Sequence, residues 1–484
     1  MTTAPLWPFA VLAICIVAVI VMISALRLHA FLALILAAFL AGILAGGFKA
    51  ETLARVPAAL RADATANSWV AAVELTAVEF GKSAGVIAIS IGLASIIGLC
   101  LMESGAADKV VRRFLGVFGE KHAGFALLTS TYFLSIPIFF DTMFMLMIPL
   151  ARALRLRTGR DYLLYVMCIC CGGVVTHSLT VPHPGPLAMV ENLRVDPGLS
   201  LLWGIAAGVL PCLAGFGIAQ WINRRVEVPL REVPGAPLTD LQGISNQPEN
   251  ELPSFFASIL PVLLPIGLIA LASFFKLTRG GGETGDLTAA AKVVAFLGNK
   301  NIALLLGTGV ALWLLARQRK LAFREVEALL GPPIETAGVI ILITAAGGAF
   351  GGMLANAGVG DAIKGLAENR AVNLIALGWV VAAVLRIAQG SATVAILTTS
   401  AILWPMIDPA SNPRLPYHPM YLFLAVGFGG FCCSWMNDSG FWVVSRLGGL
   451  TERETLRSWT VLLTATSIVG LLLTLAASKL VPLR

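Results

Sequence analysis

Apolar residues along this chain come in long unbroken runs rather than alternating with polar ones. From Leu6 to Leu26, from 30 to 48 and repeatedly thereafter, each run approaches the roughly 20 residues that an α-helix needs to cross about 30 Å of hydrocarbon. The pattern predicts transmembrane helices at 6–26, 30–48, 84–103, 161–176, 199–223, 254–275, 298–316, 335–355, 418–433 and 458–480. The first is read as a retained helix, because Met1 to Phe9 lacks the basic start of a secretory signal. Two further apolar stretches, 122–151 and 371–404, are interrupted by Ser135-Ile136-Pro137 and by Arg386-Ile387-Ala388-Gln389-Gly390-Ser391. Each predicts a pair of short helices forming a re-entrant hairpin.

Charge then orients the chain. Lys109, Arg112, Arg113 and Lys121 precede the first interrupted stretch, and Arg152, Arg155, Arg157 and Arg160 follow it, so the positive-inside rule puts both of its ends in the cytoplasm. On that basis both termini face the periplasm. Residues 1–80 hold N-terminal helices and a polar segment. Residues 81–223 form a first repeat with hairpin 122–151 and a broken helix over 161–192. The proline-bearing segment 224–253 is a cytoplasmic linker, 254–330 are connecting helices, and 331–484 form a second repeat with hairpin 371–404 and broken helix 418–445. Internal similarity supports the division: Ser104-Gly105-Ala106-Ala107-Asp108 recurs as Ala357-Gly358-Val359-Gly360-Asp361, and Gly172-Gly173 recurs as Gly429-Gly430. Two halves entering from opposite faces make the inverted-repeat plan of many secondary transporters. The expected fold class is therefore an all-α polytopic membrane protein.

Composition narrows the function. Hydrophobic residues make up 57% and charged residues 13%, with mean hydropathy +0.86, which excludes an ordinary soluble domain. The net charge of +7 lies in short segments between apolar runs, which argues for orientation in a bilayer and against a nucleic-acid partner. Cysteines at 15, 100, 168, 170, 171, 212, 432 and 433 all sit in apolar stretches. Their spacing suggests neither a disulfide framework nor a metal site, and no cofactor is expected.

Four polar, helix-breaking segments carry the candidate chemistry: 137–142, 176–186, 386–393 and 434–440. Non-helical backbone persists at membrane depth only where protein shields it or where it lines a cavity. Ionisable groups in the bilayer cost about 2.5–3.5 kcal/mol on insertion scales, so Asp141, Arg386 and Asp438 require a compensating role. Arg386 either pairs with an aspartate to fix the fold or holds a substrate carboxylate through a bidentate pair of charged hydrogen bonds. Thr142, Ser178, Gln389, Ser391, Thr393, Asn437 and Ser439 add the mixed donors and acceptors that a polyhydroxylated anion needs. Asp141, His177, His183 and Asp438 are the groups able to carry a coupled proton. Glu103, at a helix end, is read as solvated.

In this order the segments resemble the gluconate permease family of proton symporters, within the wider ion-transporter superfamily. The resemblance spans roughly 80–480 and rests on Ile136-Pro137-Ile138-Phe139-Phe140-Asp141, Thr176-His177-Ser178 with Pro182-His183-Pro184-Gly185-Pro186, Gln389-Gly390-Ser391-Ala392-Thr393-Val394-Ala395, and Asn437-Asp438-Ser439-Gly440-Phe441-Trp442. It implies uptake of gluconate or a related hydroxy acid with a proton across a bacterial inner membrane, by an elevator-like unit containing two hairpins. Carriers of that general design are commonly dimers, so a homodimer is expected. The chain departs from the family where Thr142-Met143 follows the hairpin aspartate and where Trp435-Met436 precedes Asn437, which predicts a bulkier pocket wall and a smaller or different acid. A membrane-embedded hydrolase is a rival, but no His-Glu-x-x-His helix occurs and the polar groups are divided between the two halves. An organic-anion channel is the other, although a single embedded arginine suits a saturable site better than a pore lined by rings.

Overall fold

A computed structural model describes residues 7–231, 251–278, 289–359, 373–407, 415–436 and 438–481. Among these every regular element is a helix. Among the described residues seven helical spans are long and apolar enough to cross a membrane. The N-terminal part comprises α1 (Trp7–Ile20), α2 (Ala30–Leu44), α3 (Ala58–Ala66) and α4 (Ser68–Glu103). After α5 (Ala106–Phe118) come α6 (Ala123–Leu134), α7 (Phe140–Thr158), α8 (Tyr162–Leu179), α9 (Pro184–Asn192) and α10 (Pro197–Asn223). Next are α11 (Phe255–Thr278), α12 (Ala289–Leu297), α13 (Lys300–Arg319) and α14 (Gly331–Asn356). The last part holds α15 (Leu374–Gln389), α16 (Ala392–Ile407), α17 (Met420–Gly429), α18 (Ser439–Gly448) and α19 (Val461–Leu480).

The largest departure from the hydropathy reading is α4. It begins at Ser68, where Asn67 caps it by accepting from the Trp69 amide, rather than near residue 84. At 1.5 Å per residue its 36 residues extend roughly 54 Å, longer than the hydrocarbon is thick. Its first turns carry Glu74, Glu79 and Lys82, which hides the helix from an apolar count. Glu79 is buried and paired to Arg55 at 3.0 Å. The run at 6–26 is helical over 7–25, ending in a π-helical turn, whereas those at 30–48 and 418–433 form helices shorter than expected, of 15 and 10 residues. The segment 224–253 and the second member of the first repeated motif fall partly outside the described residues. Glu103 is partly exposed and paired to Arg319 at 2.9 Å.

Glycines decide where helices approach most closely. Along α14, Gly348 faces Ser83 and Gly352 faces Glu79 on α4, while Gly347 and Gly351 face Leu397 and Ala401 on α16. Small residues on two faces thus let one helix pack tightly on both neighbours.

Two further glycine pairs organise the interrupted stretches. Gly124 of α6 lies against Leu164 and Cys168 near the start of α8, and Gly172 near its end lies against Leu128 and Thr131, so α6 and α8 run in the same direction. Gly173 meets Phe140 and Met143 at the start of α7, whereas Thr158 at the end of α7 meets Tyr165 near the start of α8 at 3.2 Å. Helix α7 therefore runs against α8, and α6 and α7 double back around a tip at 135–139.

The later stretch is built alike. Gly378 of α15 lies against Val426 of α17, and Gly429 lies against Trp379 and Ala382; α15 and α17 run together. Gly430 meets Ile396 of α16, and Gly378 meets Leu403, so α16 returns antiparallel around Gly390. In each case the first glycine of the doublet admits the outgoing arm and the second admits the returning arm.

Chain ends place these units. Lys121, Thr158, Arg160, Asp161 and Gln220 line one cavity, and Asn223 bonds both the Leu164 amide and the Asp161 carboxylate. The bases of α6, α7 and α8 thus share a basic face with the end of α10. Helix α9 leads into the start of α10 at the opposite face, and runs beside α16 from the Gly185–Thr393 contact to the 2.9 Å Asn192–Ser400 bond.

Candidate functional site

Four chain breaks meet in the interior. The first is the tip of the α6–α7 turn. The second separates α8 from α9, where Thr180 and His183 adopt extended backbone and Val181-Pro182 is cis. The third is the Gly390 turn, with φ of 81°, a left-handed conformation that suits glycine. The fourth runs from Gly430 to Asp438.

A cavity of about 190 Å³ lies among them, lined by Phe139, Phe140, Asp141, Val174, His177, Ser178, Ile340, Arg386, Ser391, Ala392, Thr393, Phe431, Asp438, Ser439, Gly440 and Trp459. Three of the breaks and the last turn of α8 contribute, so residues spread over more than 300 positions of sequence share one chamber. Asp141, in the first turn of α7, and Ser439, at the start of α18, are exposed there, whereas Arg386 and Asp438 are buried.

Helix ends set the electrostatics. The N-termini of α7, α16 and α18 all open on this cavity through Phe140, Ala392 and Ser439. First-turn amides of a helix lack intrahelical acceptors and carry partial positive charge, which favours an anion. Among the described residues no side chain caps α7. Ser391 accepts from the Val394 amide at 3.3 Å, and Asp438 accepts from the Gly440 amide at 3.0 Å.

The Arg386 guanidinium is already engaged. Its Nη2 donates to Asp438 Oδ2 and its Nη1 to the Gly390 carbonyl. Asp438 also accepts from Ser434 Oγ, which in turn accepts from Trp459 Nε1 at 2.6 Å. The terminal nitrogens expected to clamp a substrate carboxylate therefore hold an internal aspartate and a hairpin tip instead. Of the alternatives open for Arg386, the structure contains the Arg–Asp pair. Among the described residues its Nε remains buried without a partner, as do His177 Nδ1 and Ser178 Oγ.

Of the residues singled out from sequence, Asp141, His177, Ser178, Arg386, Ser391, Thr393, Asp438 and Ser439 line the cavity. Thr142 does not, because it sits in the first turn of α7 beside Asp141 on another side of the helix. His183 also stands back: it is 1% exposed, with its ring 4.3 Å from that of His177. The Gln389 side chain and Asn437 lie outside the described residues. Neither departure from the family pattern forms the wall. Met143 packs on Gly173, and Trp435 donates to the Ile387 carbonyl at 2.9 Å outside the cavity. Sequence reading missed Trp459, Phe431, Val174 and Ile340 as lining residues. Each sits within an ordinary apolar run, and only the Ser434–Trp459 bond distinguishes Trp459.

Comparison with known proteins places this architecture. The model of the GntP family permeases matches residues 7–481. A gluconate permease of Pseudomonas aeruginosa is 32% identical over 468 residues, 96% of each chain. The Gnt-II system L-idonate transporter of Escherichia coli is 31% identical over 82% of this chain and 86% of its own. Among solved structures, MtrF of Neisseria gonorrhoeae, placed in a class of antimetabolite efflux pumps, superposes with TM-score 0.62 at 16% identity, covering 89% of this chain and 87% of its own. The YdaH transporter of Alcanivorax borkumensis gives 0.52 at 15%, covering 83% and 88%. At such identities these two likenesses establish a shared fold only. With its apolar helices and a match along nearly its whole length, the chain is a multi-pass membrane protein belonging to the GntP family of permeases, transporters rather than enzymes.

Proposed function

We propose that this permease imports gluconate or a related sugar acid across the bacterial inner membrane together with a proton. The names of its relatives support the substrate class. The observation that carries the reading is the convergence of three helix breaks and the last turn of α8 on one cavity where, among the described residues, His177 Nδ1, Ser178 Oγ and Arg386 Nε are buried without partners. Unsatisfied buried polar groups are costly, and a polyhydroxylated ligand would satisfy them.

In this reading the substrate carboxylate sits at the N-termini of α7, α16 and α18, while Ser178, Ser391, Thr393 and Ser439 meet its hydroxyls. Gln389 and Asn437, from the same segments, are proposed to join them. Arg386 acts as the partner of Asp438 and as a nearby positive charge. Asp141, open to the cavity, is the proposed proton carrier, with His177 beside it. Protonation of Asp141 keeps the loaded site at the net charge of the empty one, because the substrate carboxylate replaces the charge that the aspartate loses.

The two hairpin units support an inverted repeat. Helix α8 runs from the basic face toward the cavity, and α17 approaches it from the opposite face, each with its doublet of glycines. The hairpins and broken helices then form an elevator-like unit moving against α4, α11, α13 and α14, with the homodimer as the proposed assembly. Proteoliposome uptake of a panel of sugar acids, with and without an inward acid gradient, tests this. Saturable uptake of gluconate, stimulated by the gradient, is expected. Uptake indifferent to the gradient removes the proton, and linear uptake without saturation favours a channel.

A further inference from the structure

His183 lines no part of the cavity, yet it connects two of the breaks around it. It is the last extended residue before α9, with φ −58° and ψ 147°, and it is buried at 1% exposure. Its Nε2 contacts the carbonyl oxygen of Ser135, 48 residues earlier. A carbonyl oxygen can only accept, so Nε2 carries the hydrogen and donates. Ser135 is the C-terminal cap of α6 and the first residue of the hairpin tip. Carbonyls at a helix end lack intrahelical donors, and this one receives its donor from the α8–α9 break. Among the described residues the Ser135 hydroxyl itself is buried without a partner, so the tie runs through backbone. Phe139, at the far end of the same tip, lies with its ring 5.9 Å from that of His183.

We propose that His183 is a positioning residue: by donating to the Ser135 carbonyl it holds the first hairpin tip against the α8–α9 break, fixing where Phe139 and Asp141 stand in the cavity, without touching substrate. The role rests on the transport reading above.

Two measurements on the full-length protein test it: KM and maximal rate of gluconate uptake in proteoliposomes, and backbone hydrogen exchange across 135–142. His183→Ala should raise KM about tenfold with a smaller change in maximal rate, and should speed exchange at the tip, because a buried acceptor loses its donor. His183→Gln, whose amide nitrogen reaches as far as Nε2, should restore both. His183→Asn, shorter by one methylene, should behave like alanine. Ser135→Ala keeps the carbonyl and should change neither. The proposal is overturned if glutamine is no better than alanine in well-inserted protein, if His183→Ala leaves tip exchange unchanged, or if exchange rises while KM stays at the native value. Exchange needs no substrate. Failure of the native protein to take up gluconate would therefore refute the transport reading, while the exchange arm would still decide the positioning role.

Discussion

The two hairpin units share a shape and differ in what holds their tips. In both, a glycine doublet lets the two arms close on the following helix. An added Cβ at Gly172 would stand 2.5 Å from the Leu128 carbonyl, and one at Gly429 would stand 2.5 Å from that of Trp379. At the second tip, the Gly390 carbonyl is held by Arg386, whose charge is balanced by Asp438 and anchored through Ser434 to Trp459. At the first, the Ser135 carbonyl is held by an imidazole. Packing constraints are thus met in the same way, by glycine against a neighbouring arm, while electrostatics are not. A buried ion pair keeps one half internally neutral, and the other half presents Asp141 to the cavity. On the proposed reading, this asymmetry is what lets a symmetric frame pick up a charged solute and a proton together.

Removing the charge from the second tip should have the largest effect. Arg386→Met leaves Asp438 buried and unpaired, which should cost about 3–5 kcal/mol and abolish uptake. Adding Asp438→Asn should recover much of the thermal stability in detergent but not the transport. Native stability in the single variant would show that the pair does not hold that tip.

Gly172→Val and Gly429→Val should each cost about 1–3 kcal/mol through overpacking against backbone that cannot yield. Thermal unfolding of the two variants should match, and tolerance of one alone would break the equivalence of the halves. Asp141→Asn should leave stability within about 0.5 kcal/mol, as exposed positions do, and preserve gluconate exchange across liposomes. It should also eliminate accumulation driven by an acid gradient. Gradient-driven uptake surviving in that variant would move the proton elsewhere, to His177 first. Trp459→Phe removes the donor to Ser434 and should lower stability by about 1 kcal/mol, with a several-fold rise in KM. An unchanged KM would detach Trp459 from the Asp438 network.

Much of this was legible in the sequence, because a bilayer imposes length and polarity rules that print directly on it. The interruptions at Ser135-Ile136-Pro137 and Gly390-Ser391, the glycine doublets and the embedded Asp141, Arg386 and Asp438 all stand out against apolar neighbours. The first half of α4 was not legible, since its acidic and basic residues find partners only after folding: Glu79 needs Arg55. Nor were Val174, Ile340 and Trp459 recognisable as cavity wall, because an apolar side chain reads the same whether it faces lipid, core or solute.

What the sequence alone determined is where the apolar helices run and where the embedded breaks fall, since local hydropathy and backbone chemistry govern both. Tertiary structure alone decided which breaks meet, that the Arg386 fork is spent on Asp438 and Gly390, and that His183 serves a backbone carbonyl. Those outcomes depend on contacts between segments tens to hundreds of residues apart, and no local pattern encodes which of several available partners a buried polar group will find.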